Sequence, residues 1–170
     1  LHCPAFICSF TSSHPFQFRE FCMSAVIVDV DGTLAEFHPH QVSDWVLGSQ
    51  KQWEPFFAHM AEAPVIEAVA KLVKILKAQG QQIVICSGRP DSHREHTQRW
   101  LERHTIPFDA MYLRPEGDDH VDDEAVKEAL LERMRSDGFV PWLVLDDRDA
   151  VVAQWRALGL TCLQCAPGDF

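Results

Sequence analysis

The sequence predicts an α/β fold in which a parallel sheet is flanked by helices. Three observations carry that expectation. Short apolar runs alternate with longer stretches of helical period, as a strand–helix–strand chain requires. Gly and Pro mark the joints between them. Polar residues that could do chemistry, Asp29, Ser87 and Asp146, each stand directly after an apolar run, where ligands of open parallel sheets bind.

Ala25 to Val30 is short, apolar and followed by a Gly-Thr turn, as a buried strand would be. Between about Gln41 and Met60, the apolar positions Val42, Trp45, Val46, Trp53, Phe56, Phe57 and Met60 suggest one or two amphipathic helices, broken near Gly48 and Pro55. Pro64 is placed to open a helix with Val65, Val69, Leu72, Val73 and Leu76 on one face and Gly80 beyond its end. Gln82 to Cys86 predicts the second strand and Asp91 to His104 a helix, followed by a short apolar segment at Ala110–Leu113. After an acidic loop at Asp118–Asp123 come a helix from Glu124 to Arg135, a strand from Trp142 to Leu145, a helix from Ala150 to Leu158 and a last strand from Leu160 to Gln164.

Composition narrows the function. A net charge of −10 disfavours extended, non-specific duplex binding, which relies on basic residues against phosphates. It leaves room for an enzyme that touches one end of a strand. No apolar run is long enough to span a membrane. The six cysteines are too sparse for a secreted disulfide scaffold, and Cys162/Cys165 is a lone CxxC, expected to hold idle or buried thiols. With no convincing signal peptide, the expectation is a cytoplasmic protein. Residues 1–22 show no period, and MSAVIVDVDGTLA from Met23 reads like a natural start. They are expected to be a disordered or non-native extension ahead of one domain spanning 23–170.

Four segments could carry chemistry. In VDVDGTL, Asp29 and Asp31 would share a face on a continuing strand. Paired carboxylates repel, and Mg²⁺, which takes a few carboxylates plus water and phosphate oxygens, relieves the cost. One could attack phosphorus while the other moves protons; the plainer reading is a polar turn. In ICSGRP, Ser87, the permissive backbone at Gly88 and the Arg89 fork suit phosphoryl oxygens, although alone this is an ordinary loop. Lys127 lies on the helix after the acidic loop, four residues after Asp123; near a phosphoryl site it would neutralise charge. In LVLDDR, Asp146 and Asp147 end a strand and would face opposite ways, so at most one is expected to be a direct metal ligand. A helix N-cap is the competing explanation.

Taken in order, the four segments resemble the signatures of the haloacid-dehalogenase (HAD) phosphohydrolases: DxDGT, a Ser or Thr after the second strand, a Lys, and a paired-acid strand end. The resemblance spans about Ala25 to Phe170. Inside it, AVIVDVDGTLA, QQIVICSGRP, RPEGDDHVDDEAVKE, LDDRDAVVAQWRALGL and the terminal GDF are similar to the 3′-phosphatase domain of phage-type polynucleotide kinase/phosphatase. The resemblance implies a HAD-type Rossmann-like fold with a small cap insertion after the first strand. It implies Asp29 as nucleophile and Mg²⁺ ligand, and Asp31 as general acid/base with its backbone carbonyl on the metal. Ser87 and Lys127 would hold the phosphoryl group, and Gly88, Arg89, Arg114 and Arg148 would line the substrate site. Asp146 and Asp147 would complete the metal site. Arg114 with Asp122 or Asp123 would support Lys127 and the metal; the stretch from Arg114 to Lys127 is one residue longer than the family pattern, which leaves that choice open. His120 stands where the family tends to have Arg.

The family's kinase half has a P-loop, and this chain contains no GxxxxGK[ST], so no ATP site is expected in it. The aromatic-rich segment from Leu34 to Pro64 matches the family poorly, and helical spacing favours core packing of its aromatics over base stacking. His38 and His40 there are expected on a surface loop. Three functional readings remain: removal of 3′-phosphates from nucleic-acid ends, a nucleotidase or small-metabolite phosphatase on the same chemistry, or a non-catalytic phosphate- or metal-binding module that partners a separate kinase.

Overall fold

Alternation within the apolar runs decides where the two cores lie. In the computed structural model, which describes residues 23–46 and 50–169, β1 (Met23–Val28) turns Val26 and Val28 to one face and Ala25 and Ile27 to the other. β2 (Gln82–Pro90), β3 (Ala110–Arg114), β4 (Phe139–Asp146) and β5 (Thr161–Gln164) join it in a five-stranded parallel sheet of order β3-β2-β1-β4-β5. Both faces are covered, as an all-parallel sheet requires. On one side lie α1 (Pro39–Val46), α2 (Trp53–Met60), α3 (Glu67–Ala78) and α4 (Arg94–Arg103), contributing Val42, Phe57, Val73 and Trp100. On the other lie α5 (Asp123–Ser136) and α6 (Asp149–Ala157), contributing Leu130, Met134, Val152 and Trp155. Among the described residues, no helix is long and apolar enough to cross a membrane. The extension expected at 1–22 and the break expected at Gly48 fall outside the described residues.

Several boundaries differ from the sequence expectation. β1 stops at Val28, so Asp29 and Val30 follow the strand instead of continuing it; the N–H groups of Thr33, Leu34 and Ala35 all turn back onto the Val30 carbonyl. Pro64 does not open α3, which starts at Glu67. Val65 instead forms an isolated bridge with Ala35, and the Pro64 carbonyl accepts from Glu36. Pro55 does not break a helix: it sits in the first turn of α2, where the missing N–H would have had no partner. The 91–104 helix begins as a single 3₁₀ turn, Asp91–His93. β4 starts three positions early, at Phe139, although Pro141 argues against an interior strand. The register shifts between Ala25 and Val26, and the resulting bulge accommodates the proline.

The segment after β1 is a small cap. It leaves and returns through one pair of rungs: Glu36 N–H donates to the Pro64 carbonyl (2.8 Å) and Ile66 N–H to the Leu34 carbonyl (2.7 Å). His38 and His40 are exposed on it; His38 is in a loop as expected, whereas His40 lies in the first turn of α1. Strand order reverses between β1 and β4, so the crevice at their carboxyl ends is the switch point of the sheet.

Candidate active site

Asp29 follows β1, Ser87 lies in β2 and Asp146 ends β4, so the three meet at that crevice. They line one cavity of about 480 Å³ with Asp31, Lys127 and Asp147. Asp29, Asp146 and Asp147, all buried, each place a carboxylate oxygen within 4.8 Å of the others. The expectation that Asp146 and Asp147 would face opposite ways is therefore corrected: both carboxylates reach the cluster. Asp147 lies beyond the end of β4, where strand alternation no longer dictates its direction, and Thr33 Oγ1 donates to its Oδ1 at 3.1 Å. Neither acid is the N-cap of α6, a position held by Arg148, though Asp146 Oδ1 accepts the Asp147 N–H at 2.9 Å.

Crowding of acids out of water has an electrostatic consequence. Burial pushes the Asp29 carboxyl well above the usual range; Lys127 opposes this, and the charges of Asp146, Asp147 and Asp31 add to it. Burial, then the Asp146 charge, raises Asp147 to about 7 against the Thr33 hydrogen bond. A buried donor set made of carboxylate oxygens fits a hard divalent cation such as Mg²⁺. Lys127, itself buried, donates to Asp29 Oδ1 (3.0 Å) and Asp146 Oδ2 (2.9 Å). Burial works against its charge, but Asp146, Asp29 and Asp123 more than offset that and hold its pKa above the ordinary lysine value.

Asp31 points elsewhere: its carboxylate is forked onto Arg89, at 2.8 Å from Nε and 2.6 Å from Nη2. Arg89 is buried, also donates to Thr97, and lies 5.7 and 5.5 Å over the Phe56 and Phe57 rings. The cap aromatics Phe56 and Phe57 are thus core residues that also hold a site arginine. Arg114 is a clamp. It donates to the carbonyls of Gly88 (3.0 Å), Asp118 (2.8 Å) and Val121 (2.6 Å) and to Asp123 Oδ1 (3.1 Å). The choice between Asp122 and Asp123 falls to Asp123, which meets Arg114, Lys127 (3.8 Å) and Arg148 (3.7 Å); Asp122 is exposed at the N-cap of α5.

Three glycines are required by close approach. A Cβ on Gly32, at φ +85°, would lie 2.0 Å from Asp147 Oδ2. One on Gly88 would lie 2.3 Å from Asp123 Oδ1, so the space kept free there belongs to an internal carboxylate and not directly to a ligand. Gly168 of the terminal GDF is held likewise against the Asp147 carbonyl, which a Cβ there would meet at 2.4 Å, and its own carbonyl accepts from Asp149 N–H. Cys162 and Cys165 are free thiols pushed by burial to about 12 and about 11, as idle thiols would be.

Sequence reasoning missed several contributors. Trp155 Nε1 donates to Asp146 Oδ2 at 3.0 Å, Thr33 fixes Asp147, and Lys51, Trp53 and Asp119 line the outer cavity. Trp155 follows Asp146 by nine positions, at a spacing that any buried helix face would show.

A family model described as the polynucleotide kinase PNKP phosphatase domain matches residues 23–170. Among solved structures, a chain in a "Pnkp1/Rnl/Hen1 complex" is 30% identical with a TM-score of 0.72, over 88% of this chain and 48% of that one. A chain in a "Pnkp1/Rnl/Hen1 RNA repair complex" is 28% identical with the same TM-score of 0.72, over 99% of this chain and 50% of that one. This chain therefore spans about half the length of those solved chains. The class C acid phosphatase from Bacillus anthracis shares the fold, with a TM-score of 0.61 at 18% identity over 88% of this chain and 68% of that one.

Proposed function

This chain belongs to the polynucleotide kinase PNKP phosphatase-domain family of HAD phosphatases, and from that premise we propose that it is a Mg²⁺-dependent phosphomonoesterase that removes 3′-phosphates from polynucleotide ends through an aspartyl-phosphate on Asp29. The observation that carries the reading is the convergence of Asp29, Ser87, Lys127, Asp146 and Asp147 in one cavity at the switch point of the sheet.

Asp29, Asp146 and Asp147 would hold Mg²⁺, which when bound offsets the carboxylates and draws charge off the phosphoryl oxygens. Asp29 Oδ attacks phosphorus as the bond from phosphorus to the leaving oxygen breaks, and Asp31, which lines the cavity and would turn from its Arg89 fork, gives that oxygen its proton. Asp31 then takes a proton from water as that water attacks phosphorus, so Asp29 and inorganic phosphate are released. Lys127, already shared between Asp29 and Asp146, moves part of its charge to the phosphoryl group as it arrives. Ser87 and the backbone beside Gly88 hold phosphoryl oxygens, and Arg89 orients Asp31. Arg114 and Asp123 keep the 118–121 loop and α5 in place around Lys127.

The test is phosphate release, with Mg²⁺ and with EDTA, from a 3′-phosphorylated oligonucleotide, its 5′-phosphorylated isomer and a 3′-mononucleotide, with Asp29→Asn as blank. Metal-dependent release from the 3′-phosphates alone is the expected result. Equal release from the 5′-isomer would refute 3′ specificity and favour a nucleotidase or small-metabolite phosphatase, a reading suited to the net charge of −10.

A further inference from the structure

The inner cations of the cavity are taken up by internal partners: Arg89 by Asp31, Arg114 by Asp123 and backbone carbonyls, Lys127 by Asp29 and Asp146. The outer wall, built by the cap, is different. Trp53 opens α2 and stands half-buried in the cavity, in a T-shaped contact with the Phe56 ring at 5.8 Å. Its Nε1 donates across the mouth to both carboxylate oxygens of Asp119, at 3.3 and 3.2 Å, so the indole is fixed before anything binds. Lys51, two positions earlier, lines the same wall with its ammonium donating to the Val46 carbonyl, which satisfies a hydrogen bond without cancelling the charge. Burial, then the positive field of Arg114, works against that charge, with Arg148 adding to it and Asp119 opposing. An anion entering there would relieve it. A cavity of about 480 Å³ is within the range of small-molecule sites, about 300–1000 Å³, and larger than a phosphate alone would fill.

We propose that Trp53 and Lys51 form the nucleotide-recognition wall of the site: the indole, held by Asp119, stacks on the base of the nucleotide that carries the terminal phosphate, and Lys51 binds the next phosphodiester. A fixed aromatic face suits any base, and one cation beside it follows the strand, as in sequence-tolerant single-strand binding. The wall selects the end of a polynucleotide strand over a small phosphate ester. It rests on the phosphatase reading above and adds the groups that recognise the substrate beyond the phosphate.

The experiment measures binding in the Asp29→Asn background by anisotropy, with two 3′-phosphorylated, dye-labelled tetranucleotides that differ only in whether the terminal base is present or abasic. The ratio of their dissociation constants isolates the stacking contact. Trp53→Ala is expected to collapse that ratio by about tenfold or more, the scale of one base–aromatic stack. Because Trp53 also packs on Phe56 and Phe57, Asp119→Ala is the second variant. It leaves the core untouched, frees the indole, and should lower the ratio about threefold. Lys51→Ala should weaken both tetranucleotides and reduce the slope of log affinity against log salt by about 0.7. An unchanged ratio in both Trp53→Ala and Asp119→Ala, or an unchanged salt slope in Lys51→Ala, overturns the assignment. Binding is read without turnover, so a protein that releases no phosphate from any substrate would refute the phosphatase reading while the wall is still judged by its ratios.

Discussion

Replacing Lys127 by methionine keeps the length of the side chain and removes its charge from the centre of the acid cluster. Lys127 is 2% exposed and hydrogen-bonded to two carboxylates that are nearly as buried, Asp29 and Asp146, with Asp123 at 3.8 Å. Removing one partner of such a pair leaves uncompensated buried charge and costs about 3–5 kcal/mol. At about 2–4 °C per kcal/mol for a chain of this size, the melting temperature in EDTA should fall by roughly 6–20 °C at neutral pH. The pH dependence has a definite sign. Lys127 is what opposes the rise of the Asp29 pKa, so the variant's Asp29 titrates higher still. A carboxyl with a raised folded pKa keeps its proton where the unfolded chain has lost it, so its contribution falls as pH rises through that window. The variant therefore loses most near neutrality, and the gap to the parent protein should shrink on acidification toward pH 5. Thermal melts by near-ultraviolet circular dichroism at both pH values, with EDTA and with Mg²⁺, test this; Mg²⁺ should restore part of the loss. A fall of less than about 3 °C in EDTA, or a gap that widens in acid, would refute the account of Lys127 as the internal counter-charge.

Two other measurements bear on the metal site. Gly32→Ala places a Cβ 2.0 Å from Asp147 Oδ2 at φ +85°, and by displacing that carboxylate should lower Mg²⁺ affinity by about 10- to 100-fold in calorimetry. Gly80→Ala, at φ +82° with nothing near its Cβ, is the control for backbone strain alone, and equal loss in both would sink the steric explanation. Because Asp147 titrates at about 7, Mg²⁺ must displace its proton below that pH. Apparent affinity should climb steeply with pH below about 7, because Asp29, also raised by burial, gives up a proton too, and should level off only once both carboxylates are ionised. Thr33→Val, which removes the hydrogen bond that lowers the Asp147 pKa, should move the plateau to higher pH, and a pH-independent affinity would contradict the raised pKa.

The sheet and the inner site were legible because both depend on local pattern. Apolar runs ending in Asp29 and Asp146, and one running into Ser87, state at once that a strand exists and where its useful end lies. What escaped depends on contacts between residues distant in sequence. Thr33 meets Asp147 across 114 positions and Trp53 meets Asp119 across 66, and no periodicity encodes either. Alternation also misleads where a strand has already stopped, as it did for Asp147 and for the shared face expected of Asp29 and Asp31. Pro141 hid the first half of β4, because only pairing with β1 reveals the bulge that tolerates it.

The paired rungs at Glu36–Pro64 and Leu34–Ile66 make the cap a plug-in module. A segment whose two ends are already side by side adds little closure entropy however long it becomes, about 0.6 kcal/mol for each doubling. Its length and sequence can drift or be exchanged wholesale while the strand ends beneath keep their geometry, provided an exchanged segment still seats Arg89 as Phe56 and Phe57 do. If the cap sets substrate choice as proposed, chemistry and selectivity would be separable at this one seam, and a new specificity could be grafted there without rebuilding the strand ends.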